Sequence, residues 1–114
     1  MSERLNAAFS ALSDPTRRAI LARLSTGEAT VSELVEGFEL TQPTISSHLK
    51  VLEAAGLISR GRVAQTRPCR LAPDGLKAVD EWLERYRRFW AESFDKMGAY
   101  LNEITKGNPD APAS

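Results

Sequence analysis

Between residues 41 and 71 lie the side chains whose types and spacing offer chemistry: Gln42, Thr44, Ser46, Ser47, His48 and Lys50 in one run, then Arg60, Arg62 and Arg67. Amides and hydroxyls donate to and accept from base edges, while lysine and arginine neutralise phosphate oxygens. No Gly-rich phosphate loop, nucleophile motif or carboxylate pair with a site around it accompanies them. The chemistry on offer is binding, and no residue is assigned to catalysis.

The distribution of charge points to the same segment. The chain of 114 residues is formally neutral, with 15 Lys plus Arg against 15 Asp plus Glu. Residues 41 to 71 nevertheless carry 5 basic and 1 acidic group, against 4 and 6 before them and 6 and 8 after them. A neutral chain with a basic stripe can bind a polyanion by counterion release, whereas its flanks would repel phosphate.

Helices must position these groups. Ser32 is placed to cap a helix from Glu33, with Leu34, Val35 and Phe38 on its apolar face and Glu39 and Leu40 at the turn. Thr41 can cap a second helix, Pro43 suits its first turn, and Gly56 suits its left-handed end, so the helix spans Gln42 to Ala55. At about 100° per residue from Ile45, Leu49 and Leu52 fall beside it. Pro43, Ser47 and Lys50 then point outward, and Thr44, Ser46 and Val51 lie on the flanks. Such a face fits a major groove about 12 Å wide.

After Gly56 the period changes. Residues 57–62 and 66–71 read as strands around a turn at Val63 to Gln65, a hairpin with Arg60, Arg62 and Arg67 near its tip. Pro68 cannot donate to a ladder, so its strand should be an edge or be interrupted there. The fold class expected is mainly α with a small β-hairpin wing: a winged helix-turn-helix with a long C-terminal helix for dimerisation.

The stretches LSDPTRRAILARL (residues 12–24) and VSELVEGFELTQPTISSHLKVLEAAGLISRGR (residues 31–62) resemble the ArsR family of small bacterial winged-helix transcriptional regulators. The resemblance implies a homodimer on pseudo-palindromic operator DNA, usually repressing its own promoter. It maps the recognition helix to Gln42 through Ala55 and the wing to Arg60 through Arg67. One departure is Glu39, which occupies a turn where glycine is common, Gly37 coming too early to serve.

Family members are often metal or metalloid sensors, which this sequence does not match. Thiolate sites need several cysteines, commonly a Cys-x-Cys on the first helix of the reading motif, where Val31 to Val35 offer none. The other familiar arrangement pairs Asp with His on the last helix; Asp80, Glu81 and Glu84 are there, but the only histidine is His48. No metal site and no cofactor are expected. A single cysteine, Cys69, excludes an internal disulfide and reads first as a small buried apolar residue, second as a redox sensor. His48 lies about 60° from Ile45, so it either buttresses the helix or reaches one phosphate.

At 114 residues and 42% hydrophobic composition, the chain suffices for one domain with a modest core. That domain is expected over residues 1–107: reading motif 32–55, wing 57–71 and dimerisation helices 3–12 and 73–106, with residues 108–114 a flexible tail. Leu5, Ala8, Phe9 and Leu12 make one helical face; Asp14 and Pro15 open a second helix, with Ala19, Ile20 and Leu24 inward. The last helix carries Leu76, Val79, Leu83, Tyr86, Trp90, Met97, Leu101 and Ile104, with Trp82, Phe89 and Phe94 on the margins. That stripe can be a dimer interface, an effector pocket or plain core, and the first is favoured because it exceeds what one small core can cover. Leu5, Phe9, Trp82, Tyr86, Phe89, Trp90 and Phe94 are the candidate interface residues.

The partners expected are therefore double-stranded DNA and a second copy, with a small-molecule effector left open. No signal peptide or membrane-length apolar run is recognisable, which places the protein in the cytoplasm at the nucleoid. The alternatives are a repressor relieved by a small ligand and a non-specific architectural DNA binder.

Overall fold

The computed structural model describes residues 2–61 and 67–106. Its elements are α1 (Glu3–Leu12), α2 (Pro15–Leu24), α3 (Val31–Phe38), α4 (Gln42–Ala54), β1 (Ile58–Arg60), β2 (Cys69–Leu71) and α5 (Pro73–Lys106). The chain divides into two compact units, Met1–Asp80 and Glu81–Ser114. The Val63–Gln65 turn, Arg62 and the tail from residue 108 lie outside the described residues.

In the first unit, the DPTRR stretch makes a corner between α1 and α2. The Asp14 carboxylate accepts from the Arg17 amide at 2.9 Å, and Pro15 sits in the first turn of α2, where its missing N–H is not needed. Helix α1 has no basic residue in its own last turn. Arg17 and Arg18 supply that charge from α2: Arg17 Nε donates to the Ala11 carbonyl at 2.8 Å, its Nη2 to Ser10 at 3.2 Å, and Arg18 Nη1 to Leu12 at 2.7 Å. Cations at a helix C-terminus are favoured by its dipole and by its unpaired carbonyls.

Burial fixes the inward faces of α1 and α2, and that of α2 differs from the sequence reading. In α1 the buried residues are Leu5, Ala8 and Ala11, while Phe9 is 37% exposed. In α2 they are Ile20, Leu21 and Leu24, which puts Ala19 on the solvent side. The sequence reading counts Ala19 inward from its apolar type, against the face that the buried i, i+1, i+4 set Ile20, Leu21 and Leu24 defines.

Helix α3 begins at Val31 and is capped by Thr30, two residues before the expected Ser32. Thr30 Oγ1 accepts from the Glu33 amide and Glu33 Oε1 accepts from the Thr30 amide, both at 3.2 Å, a reciprocal capping box. The helix ends at Glu39, whose φ of 54° and ψ of 39° are left-handed. A glutamate thus takes the backbone conformation for which glycine is usual.

Helix α4 is capped by Thr41 and buries Ile45, Leu49 and Leu52. It closes through Ala55 onto Gly56 at φ 72°. With Ile20, Leu34, Leu57 and Cys69, these residues form a core containing no buried polar or charged residue among those described. Burial of each large aliphatic side chain contributes about 1.5–3 kcal/mol, so α4 is anchored by three such groups and presents its other face freely.

The hairpin pairs Ile58 with Leu71, Ser59 with Arg70 and Arg60 with Cys69. Its strands are three residues each, shorter than the sequence reading, and Pro68 precedes the second, where a missing N–H costs no ladder bond. On its other side Cys69 exchanges backbone hydrogen bonds with Ala29, at 2.7 and 3.0 Å. The start of α5 packs on the α4–β1 turn through Gly75, whose amide donates to the Gly56 carbonyl at 2.8 Å. A Cβ there would lie 2.7 Å from the Ala55 carbonyl oxygen, so no side chain fits.

The second unit holds the remainder of α5, a helix of 34 residues and thus about 50 Å long. The Trp82 and Tyr86 rings meet at a centroid distance of 5.0 Å, and Arg87–Glu84 and Arg88–Glu92 pairs brace the polar side. Phe89 is 73% exposed and Phe94 66%, with Met97, Tyr100, Leu101 and Ile104 each more than half exposed. Among the described residues no helix is long and apolar enough to cross a membrane.

Candidate nucleic-acid interface

With Ile45, Leu49 and Leu52 inward, the outer face of α4 consists of Gln42, Pro43, Thr44, Ser47 and Lys50, all exposed, with Ser46 half-buried on the flank. Thr44 is the most constrained of them, its hydroxyl 2.8 Å from that of Thr41. One of the three hydrogen-bonding positions of the Thr44 hydroxyl is therefore used within the protein, and two remain for a partner. Gln42 lies at the rim of an open depression of about 330 Å³ shared with Val31, Ser32, Val35 and Glu36 of α3. The Glu36 carboxylate makes that side unfavourable for a phosphate, which leaves base edges as the better partners of the Gln42 amide.

The hairpin cations separate by strand alternation. Ser59 and Arg70 are exposed on one face, whereas Arg60 and Cys69 face inward. Arg60 is half-buried, and its Nε is enclosed without a hydrogen-bond partner. Arg67 is exposed, in a left-handed backbone conformation with φ 31°. Arg62 lies outside the described residues. Arg70, which the sequence reading passed over, is thus more accessible than Arg60; the buried Cys69 beside it was the signal, because the neighbour of an inward strand residue points outward.

Cys69 is fully buried. Burial pushes its thiol up from the ordinary range, against the opposing pull of the Arg60 guanidinium. The sulfur therefore carries little thiolate character and behaves as packing. Among the described residues no three His, Cys, Asp or Glu side chains come together.

His48 is held from the side opposite the outer face. Its Nδ1 lies 3.4 Å from Arg17 Nη1 and 4.0 Å from Asp14 Oδ2, while about a fifth of the side chain (19%) stays accessible. The hydrogen bond from the Arg17 amide holds the Asp14 carboxyl below the usual carboxylate range; desolvation opposes it next in size, and the Arg17 and His48 charges add smaller lowering effects. Arg17 thus joins three helices, bonding to α1, capped with Asp14 on α2 and touching α4. Nothing in spacing alone discloses that contact, since Arg17 and His48 are 31 positions apart.

Two helices joined by a left-handed turn, a polar and basic outer face on the second, and a two-stranded hairpin define a winged helix-turn-helix, a DNA-reading domain. The model of the arsR family of bacterial regulatory proteins matches residues 14–60. The chain is 40% identical over 86 residues to the HTH-type transcriptional regulator Rv2034 of Mycobacterium tuberculosis, covering 75% of this chain and 78% of that one. It is 44% identical over 61 residues to the transcriptional repressor SdpR of Bacillus subtilis, covering 54% and 68%. The crystal structure of an ArsR family transcriptional regulator, 42% identical, superposes with a TM-score of 0.69 over 78% of this chain and 92% of that one. The chain therefore belongs to the arsR family of bacterial regulatory proteins, and it is a DNA-binding transcriptional regulator.

Proposed function

We propose that the protein is a homodimeric repressor that acts by occupying an operator, its own promoter included, in the cytoplasm at the nucleoid and without catalytic activity. The observation that carries this reading is the exposed row Gln42, Thr44, Ser47 and Lys50 on a helix whose opposite side is locked into the core. Lys50, Arg67 and Arg70 supply phosphate affinity, together with Arg60 and Arg62, while Gln42, Thr44, Ser46 and Ser47 supply base preference. His48 contributes at one phosphate.

Dimerisation is supported by the apolar surface of α5. Phe89, Phe94, Met97, Tyr100, Leu101 and Ile104 are more exposed than a monomer would hold in water, and a two-fold partner covers them. Tyr86 and Trp90, 39% and 37% exposed, continue this candidate surface along α5 beside Trp82, and Phe9 of α1, 37% exposed, is a separate candidate for the interface. Leu5 is 6% exposed in the single chain, so its part is to support Phe9 from beneath.

Fluorescence anisotropy with the protein's own upstream fragment and a random duplex, at about 0.15 M salt, tests the reading. A preference of about 10³ or more, the low end for specific readers, is the expected result. Equal affinity for the two would replace it with an architectural role or an operator elsewhere, and binding to neither with dependence on an effector or a protein partner.

A further inference from the structure

We propose that Asp14 and Arg17 are positioning residues for His48, which they set as a phosphate ligand so that DNA binding takes up one proton at its Nδ1. The proposal rests on the DNA-binding reading of α4 and assigns to that face a linkage the reading does not contain.

The geometry fixes the starting state. A guanidinium only donates, so the 3.4 Å approach of Arg17 Nη1 to His48 Nδ1 calls for a lone pair on that nitrogen and places the ring proton on Nε2. Arg17 cannot easily withdraw, because its other nitrogens are bound to the carbonyls of Ala11 and Ser10. Nε2 has no partner among the described residues and is not enclosed, so its N–H is directed away from α2 as a donor.

Charges around Nδ1 oppose one another in the free protein. The Asp14 carboxylate lies 4.0 Å away and the Arg17 guanidinium 3.4 Å. From helix α1 the Ala11 and Ser10 carbonyls join this cluster through Arg17, and on α4 the nearest charges in sequence are Lys50 and Glu53. A phosphate oxygen accepting from Nε2 adds a second negative charge and tips the balance. A proton from solvent then occupies Nδ1, the ring swings from the anchored Arg17 Nη1 toward Asp14 Oδ2, and Nδ1–H donates there as Nε2–H donates to the phosphate. His48 is the only histidine in the chain, so such uptake near neutral pH has one imidazole to reside on.

Phosphate contacts are independent of sequence, so a random duplex is a sufficient probe. Its affinity, measured from pH 5.5 to 8.5 at fixed low salt, is expected to fall about tenfold as pH rises, the change produced by a one-unit shift of one group. Calorimetry in two buffers of different ionisation enthalpy should register the proton. His48→Gln retains an N–H donor but cannot take up the proton, and should give a flat profile. Asp14→Asn retains a capping oxygen for α2 while removing the charge, and should reduce the slope. A wild-type profile without slope, or a slope that survives in His48→Gln, overturns the linkage. Absence of binding at every pH would instead overturn the assignment of this face to DNA, and the linkage with it.

Discussion

Lys50 and Ser47 share the outer face of α4, yet their chemistry assigns them opposite signatures. A lysine meets phosphate as a point charge, so Lys50→Ala should weaken operator and random duplex alike and lower the salt slope by about 1. A selective loss on the operator would move Lys50 to the base-reading group. The Ser47 hydroxyl is exposed and makes no hydrogen bond among the described residues, so Ser47→Ala should reduce operator preference by about 0.5–1.5 kcal/mol, the net worth of one hydrogen bond, with less effect on random DNA. Competition titrations at constant salt measure both. These residues were legible in sequence because helical rotation from a buried Ile45 settles which side chains face out. The inward face of Arg60 was not, because it appears only once its pairing with Cys69 is known, whereas Arg70 was passed over although a buried Cys69 next to it assigns it the outer face. Arg17 was legible as part of a motif and opaque as a contact, since its carbonyl partners and His48 meet it only in the folded chain.

Elements of the reading unit are limited by backbone positions at their ends. Gly75 has the Ala55 carbonyl oxygen, the Leu57 side chain and the Gly56 carbonyl oxygen all within 3 Å of where a Cβ would stand. Gly75→Ala must therefore push α5 off the α4–β1 turn, and the expected cost is about 1–3 kcal/mol by urea denaturation. Glu39 offers the opposite case. Its left-handed conformation carries about 1–2 kcal/mol of strain for a residue with a Cβ, and glycine's larger unfolded-state entropy offsets part of the relief. Glu39→Gly should raise the urea midpoint modestly, and a lower midpoint would show that the glutamate side chain contributes a contact of its own. The sequence located this turn but not its conformation, because only the occupied φ shows that a residue other than glycine fills the place. The α3 cap was missed for a simpler reason: Ser32 and Thr30 are both competent, and Glu33 three residues after Thr30 decides between them.

On the scale of the whole molecule, the long helix accounts for most of the surface that a single chain leaves unsatisfied. Phe89 and Phe94, the two most exposed large apolar groups of α5, can be charged without disturbing a core. The double variant Phe89→Glu, Phe94→Glu should keep its thermal transition and sediment as a monomer at micromolar concentration. Loss of the second reading unit then removes avidity, and operator affinity should fall by at least about 10². A variant that remains dimeric would place the interface elsewhere. The apolar stripe was plain in sequence from its spacing; its assignment to a partner was not, because periodicity identifies a face without identifying what covers it.

Cys69 gives this molecule a stopwatch. Its sulfur is sealed in the core while its backbone is tied to Ala29 on one side and to β1 on the other, so an alkylating reagent can reach it only after those ties separate. The rate at which the thiol is consumed under native conditions therefore counts openings of the hairpin. Because Cys69 belongs to the same core as Ile20, Leu34 and Leu49, those openings should show the urea dependence of complete unfolding. A shallower dependence would reveal a wing that swings free while the helices stay folded.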